Sequence, residues 1–354
     1  MTKMEQTSLT KTQFWNDSCS IKELSEAITQ GAVGATTNPV IVYGVITSEE
    51  EYWKDLVNEV LEENKSKLDS EVTWEIIKRI GKRAAALLYP TYEKYNGNKG
   101  RLSLQVNPEY YNNSSLLISH AEELASVAEN TAIKIPCTEE GLVAIEELTA
   151  KGICVNVTVS FTLVQALTSA EAIERGLKRA KEKGIDTDRY TPFVTLMVGR
   201  LDDHLRRVAS NKKILIDPGM YEWAGVAVFK KAYKIFKDRN YSSILLSAAY
   251  RNHMHWSEFV GGDVIVSIPY KWWNLYNDSD VPVVDRISIP VNPDVVKTLY
   301  DTFEDFRKAY DEDGMQAVEF VNYGATVETL NQFTATYYEL LNYIRNKRIS
   351  NENN

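Results

Sequence analysis

Cysteine is scarce in this chain of 354 residues, and its scarcity is informative. Cys19, Cys137 and Cys154 are an odd number with no metal-ligand or redox spacing between them, so neither a disulfide framework nor a zinc ribbon is written here. Long apolar runs are missing too, and none approaches the ~18 residues that a membrane-spanning helix requires. The opening MTKMEQTSLTKTQ lacks the apolar core of a secretory signal. These absences lead to the expectation of a soluble, cytoplasmic protein. There is no surplus of positive charge: 40 Lys and Arg stand against 49 Asp and Glu, a formal net charge of −9. That balance argues against nucleic acid or an anionic membrane as a partner. Histidine numbers only four. His253 and His255 are closely spaced, but no carboxylate or cysteine cluster joins them in sequence, so ordinary polar contacts are expected rather than a metal site.

What is present is material for a large core. Hydrophobic residues make up 44% and charged residues 25%, ordinary globular values. The length suits one α/β barrel with insertions or two medium domains. Short β-like runs alternate with helical ones along the chain. The strand candidates are Phe14–Asp17, Val33–Thr37, Leu102–Val106, Ala132–Pro136, Val155–Ser160, Phe193–Val198, Ile244–Ala249 and Val264–Ile268. Between them lie helical patterns, among them Ile21–Gln30, Val72–Leu88, Leu116–Ala128, Leu163–Lys183 and Tyr221–Lys237. Eight strands interleaved with helices favour a (β/α)8 TIM barrel over an open sheet. We read one domain: a barrel over about 13–275, a helical extension over about 290–347 and a polar tail at 348–354. Within the extension, helices are expected at 294–310, 313–322 and 326–347.

Several strands have two unlike faces. Val155, Val157 and Val159 alternate with Asn156, Thr158 and Ser160; Ile133 and Ile135 flank Lys134; Ser103 and Gln105 interrupt Leu102–Val106. Side chains alternate with period two, so if helices cover the outside, the polar set converges within the barrel. A half-exposed antiparallel strand shows the same alternation, but does not need the long helical segment that follows each strand. Lys134 is the sharpest candidate. Burial lowers a lysine pKa and yields a free amine able to attack a carbonyl. The alternative is a strand-end lysine whose head reaches water.

Five segments, in order, carry a family resemblance: Gly34-Ala35-Thr36-Thr37-Asn38-Pro39, Ala132-Ile133-Lys134-Ile135-Pro136-Cys137-Thr138-Glu139-Glu140-Gly141-Leu142, Asn156-Val157-Thr158, Val198-Gly199-Arg200-Leu201-Asp202-Asp203 and Ser247-Ala248-Ala249-Tyr250-Arg251-Asn252. They resemble the signatures of the transaldolases across roughly residues 13–310. The resemblance implies transfer of a dihydroxyacetone unit between phosphorylated sugars, as in the pentose phosphate pathway, without a metal or organic cofactor. It implies that Lys134 forms the Schiff base, Asp17 is the acid/base, Asn38 holds a substrate hydroxyl and Thr158 positions a water. Asn156, Thr195, Arg200 and Arg251 match the positions that hold the terminal phosphate.

Two positions depart from the pattern. Gln105 stands where the family has a glutamate, and an amide orients a water without acting as acid or base. Met197 stands where an aromatic residue is usual, in the register Thr195-Leu196-Met197-Val198-Gly199-Arg200; Thr191-Pro192-Phe193-Val194 offers a competing register. The glutamine is also similar to the fructose-6-phosphate aldolase branch, which implies a lyase as the alternative. A sulfonate in place of phosphate, a homo-oligomer, and a silent sugar-phosphate binder stay open at this point. Cys137 is read as a buried thiol, Trp272 and Trp273 as a cover over the barrel mouth or a subunit contact, and Gly261-Gly262 as a turn.

Overall fold

The alternation of polar and apolar residues becomes the wall of a barrel. The computed structural model describes residues 1–352. The strands are β1 (Gln13–Asn16), β2 (Gly34–Thr36), β3 (Arg101–Gln105), β4 (Thr131–Pro136), β5 (Val155–Thr158), β6 (Phe193–Leu196), β7 (Ile244–Ser247) and β8 (Ile265–Ile268). Each runs parallel to the next and β8 returns to β1, closing the ring. Leu102, Leu104, Ile133, Ile135, Val155 and Val157 enter the core shared with the surrounding helices. Each such side chain contributes about 1.5–3 kcal/mol when fully buried.

The interior is layered. A separate apolar cluster of Trp15, Ala132, Cys154, Phe193, Leu246 and Ile265 plugs its N-terminal half. Trp15 meets Phe193 edge-on at 4.9 Å between ring centroids, the geometry favoured by the aromatic quadrupole. Gly34 makes room for this plug, since a Cβ there would lie 2.3 Å from the Trp15 indole. The inward positions closer to the strands' C-terminal ends are polar: Thr36, Ser103, Gln105, Lys134, Asn156, Thr158, Thr195 and Ser267. Phe193 belongs to the plug, whereas Thr195 lies in the polar layer, its hydroxyl donating to Asn156 Oδ1.

Insertions decorate the ring. Three helices, Pro39–Ser48, Glu50–Glu63 and Asp69–Lys94, connect β2 to β3. The last outruns its periodic pattern at both ends and passes through Pro90, held by the buried Tyr92, whose ring lies 5.0 Å from the Arg101 guanidinium. A 3-10 turn, Pro218–Trp223, precedes the helix Ala224–Arg239. After β8, the expected 294–310 helix is divided into Pro293–Thr302 and Glu304–Tyr310 by extended backbone at Phe303. The 313–322 segment contains only the 3-10 turn Ala317–Asn322. The final helix, Gly324–Glu352, includes most of the segment read as a polar tail; Asn353 and Asn354 lie outside the described residues.

That final helix packs against the segments that follow β2, β3 and β6. Phe333 lies 5.5 Å from the Arg200 guanidinium. Further along, Tyr337 packs on Trp74, Tyr343 on Tyr43, and the Tyr338 hydroxyl donates to Glu109 at 2.5 Å. Arg345 and Arg348 pair with Asp69 at 2.8 and 3.0 Å. Trp272 is half-buried with its ring against Tyr276, and Trp273 does not cover the mouth. Trp273 is fully buried behind β1, its indole N–H donating to Asn16 Oδ1 at 3.1 Å with Phe14 against its ring.

Candidate active site

Strand register assembles the site. Lys134 lies beside Gln105 on β3 and Asn156 on β5, and Pro136 lies beside Thr158. Lys134 is 6% exposed. Burial is the main influence on its amine and pushes the pKa below the usual lysine range; Arg200 adds to the lowering, while Asp17 opposes it. Asp17 follows β1 directly. Burial raises its pKa, against the lowering effects of Lys134, the Thr36 hydroxyl and Arg200. Acid and amine are thus both displaced toward their neutral forms, the arrangement that prepares one group for proton transfer and the other for attack. The Thr36 hydroxyl contacts Asp17 Oδ1 at 2.6 Å.

Two polar atoms on the strands that flank Lys134 have no hydrogen-bond partner among the described residues. They are Gln105 Oε1 and Thr158 Oγ1, both buried. Buried polar atoms are nearly always paired, and each of these two can bond a water or a substrate oxygen. Just beyond Thr158, Val159 has φ +53°, a left-handed conformation that a β-branched residue rarely adopts. Gln165, fully buried, holds this corner. Its amide donates to Cys137 O and Val159 O, both at 3.4 Å, while its oxygen accepts from Phe161 N at 2.9 Å. Gln165 therefore joins the ends of the strands that carry Lys134 and Thr158. The sequence gives no motif for this role.

The remaining candidates occupy different depths. Asn156 donates to Ser103 Oγ at 3.0 Å and accepts from Thr195 Oγ1 at 2.7 Å. Both Asn156 and Thr195 are buried. Asn38 caps the helix Pro39–Ser48, its Oδ1 accepting from Ile41 N at 2.9 Å, which leaves its amide N–H groups as donors. Met197 is buried at the start of the helix Val198–Lys212.

Arg200 and Arg251 are brought together by Gly199. A Cβ at Gly199 would lie 2.1 Å from Ala249 O and 2.7 Å from Arg251 Cγ, so the V-G-R glycine permits close approach of the β6 and β7 loops. Burial, followed by the nearby Arg251, pushes the Arg200 guanidinium down to about 10. Its Nε is buried without a partner among the described residues. Arg251 is exposed; its Nε donates to Asp203 Oδ2 at 2.8 Å and Nη1 to Tyr250 O at 2.8 Å. Beneath it, the Arg251 backbone N–H donates to His255 Nδ1 at 3.1 Å. The other ring nitrogen therefore carries the proton and donates to the fully buried Asp202 Oδ2 at 2.9 Å. A cavity of about 330 Å³ bordered by Arg200, Asp203, Arg207, Glu328, Thr329 and Gln332 opens between this cluster and the final helix. A larger groove of about 780 Å³ lies between helix Ala224–Arg239 and residues 287–291 and contains none of these groups.

Other residues singled out in the sequence lie apart from the chemistry. Cys137 faces Ser169 in the outer core, where burial pushes its thiol up to about 12. His253 contacts Ser257 Oγ at 3.1 Å. Among the described residues no helix is long and apolar enough to cross a membrane.

The chain is similar to known proteins over most of its length. The model of the transaldolase/fructose-6-phosphate aldolase family matches residues 14–342. A protein named transaldolase from Thiobacillus denitrificans is 28% identical over 332 residues, 88% of this chain and 89% of its own. Transaldolase 2 of Streptomyces coelicolor is 34% identical over 200 residues, 54% of this chain and 53% of its own length. The match to the second relative thus spans about half of that protein. A transaldolase of Mycobacterium bovis is 25% identical over 347 residues, 90% of this chain and 88% of its own. With the family model matched over nearly its whole length and a closed eight-stranded parallel barrel carrying its site, this chain belongs to the transaldolase/fructose-6-phosphate aldolase family.

Proposed function

We propose that the chain is a transaldolase that moves a dihydroxyacetone unit from a ketose phosphate to an aldose acceptor through an imine on Lys134. The observation that carries this reading is the buried amine of Lys134, its pKa lowered by burial, with Asp17 as its carboxylate neighbour in the electrostatics of the site. The neutral amine attacks the C2 carbonyl of the ketose, and the carbinolamine loses water to give the imine. Asp17 takes the proton of the C4 hydroxyl as the C3–C4 bond breaks. The aldose leaves, and the bond's electron pair remains on the lysine-bound three-carbon enamine. Addition to the acceptor aldehyde reverses these steps, Asp17 returning the proton to the new hydroxyl, and water releases the product ketose.

The unpartnered Gln105 Oε1 and Thr158 Oγ1 suit the water that leaves and returns. Arg200, with Arg251 beside it, suits a terminal phosphate or another tetrahedral anion such as a sulfonate. Asn38 offers its N–H groups to a substrate hydroxyl, while Asn156 and Thr195 support the floor beneath. A lyase that releases dihydroxyacetone from the same imine is the second reading, favoured by the amide at position 105. Borohydride reduction in the presence of a ketose phosphate tests the imine. Assay of released and transferred products with and without an acceptor aldehyde separates transferase from lyase. Absence of covalent labelling at Lys134 would overturn both readings.

A further inference from the structure

The hydrogen bonds at Asp17 continue through a second hydroxyl. Thr36 Oγ1 lies 2.6 Å from Asp17 Oδ1 and 2.5 Å from Ser267 Oγ. Thr36 and Ser267 are 2% and 0% exposed, on the two strands that flank β1. Thr36 is the only hydrogen-bond partner of the Ser267 side chain among the described residues.

A hydroxyl has one proton, so Thr36 cannot donate in both directions. When Asp17 is ionised, Thr36 donates to the carboxylate and Ser267 donates to Thr36. When Asp17 is protonated on Oδ1, that oxygen donates to Thr36, and Thr36 turns to donate to Ser267. The chain reverses with the charge on Asp17. In the first arrangement both protons point toward a negative charge, where hydrogen bonds are shorter and stronger and reinforce one another. The contact also engages Oδ1, which leaves Oδ2 for the reacting hydroxyl.

We propose that Ser267 is a positioning residue for the acid/base step: acting through Thr36, it fixes the orientation of the Asp17 carboxylate and favours its ionised form. The proposal rests on the reading of Asp17 as acid/base. It adds a group from β8 that no motif in the sequence marks. The charged and titratable groups facing Asp17 are Lys134 from β4, Arg200 from the helix after β6 and Tyr250 from the loop after β7; all are retained in the variants below.

The test is single-turnover cleavage of fructose 6-phosphate against pH, with borohydride trapping run in parallel. In Ser267→Ala the acidic limb of the cleavage profile moves upward by about 0.5 pH unit, the scale of cooperative strengthening of one charged hydrogen bond. Trapping, which needs the Lys134 amine, remains measurable. Ser267→Thr restores the position of the limb. In a Thr36→Val background, Ser267→Ala gives no additional shift, because the connection is already cut. A Ser267→Ala profile that superimposes on the unaltered protein, or an equal shift in the Thr36→Val background, overturns the proposal. Failure of the unaltered protein to trap any ketose would instead overturn the imine reading itself, so the two failures are distinguishable.

Discussion

Gln105 and Lys134 are register partners on adjacent strands, and the amide oxygen of Gln105 is buried with no hydrogen-bond partner among the described residues. An amide in this place orients a water but exchanges no proton with it. Gln105→Glu supplies a general base, a contribution of typically 10²–10⁴-fold where proton transfer at the water limits the rate. We expect imine formation to persist in this variant and its pH dependence to gain a carboxylate ionisation. Single-turnover imine formation and hydrolysis, followed against pH, check this. Identical profiles for both forms would remove position 105 from the water.

Lys134→Ala is expected to abolish borohydride labelling and turnover together, because no other amine is assigned to the imine. Mass spectrometry of the reduced protein is the measurement. Labelling retained at full stoichiometry would refute the mechanism.

The electrostatics of the pair fix a sign. Asp17 raises the pKa of Lys134, opposing burial. Asp17→Asn removes that attraction, so the free amine appears at lower pH and the inflection of the trapping rate moves down, even though C3–C4 cleavage is lost. Arg200→Ala removes a repulsive charge from Lys134 and moves the same inflection up. Trapping rates measured across pH with dihydroxyacetone, which carries no phosphate, isolate these effects from anion binding. Shifts in the reverse directions would contradict the proposed arrangement of charges.

Arg200 and Arg251 are expected to contribute unequally. Arg200 is mostly withdrawn from solvent, with an unpartnered Nε and Phe333 against it, whereas Arg251 is exposed and already engaged by Asp203. A charge-assisted hydrogen bond to an anion is worth about 1.5–3 kcal/mol. Arg200→Ala should therefore lower kcat/KM for a phosphorylated donor ~10- to 100-fold, and Arg251→Ala by roughly threefold to tenfold. Equal kcat/KM values for the unaltered protein and both variants would place the anion elsewhere.

Gly199→Ala tests the close approach of the two loops. The added Cβ meets a carbonyl oxygen rather than a flexible side chain, and such overpacking costs on the order of 1–3 kcal/mol. Thermal denaturation should show a lower Tm, and the weaker anion binding should resemble that of Arg251→Ala. An unchanged Tm would mean that the loops part without penalty.

Much of this was legible because a barrel strand states its two faces in consecutive residues. Ile133-Lys134-Ile135 and Val155-Asn156-Val157 announce an apolar outside and a polar inside, and the structure places them so. What escaped depends on residues far apart in the chain. Asn16 meets Trp273 across 257 positions and Thr36 meets Ser267 across 231, so no local pattern reports either contact. Trp15 and Phe193 alternate like their polar neighbours but fill the lower barrel; period-two reasoning gives the face of a residue without its depth. The break at Phe303 was hidden because helical periodicity continues on both sides of it.

The position of Phe333 has a consequence for the order in which the molecule is made. All eight strands, Lys134, Asp17 and both arginines precede it in the chain, yet it forms the wall against which Arg200 rests. A nascent chain therefore contains every group assigned to the reaction before it contains the aromatic ring on which the Arg200 guanidinium rests.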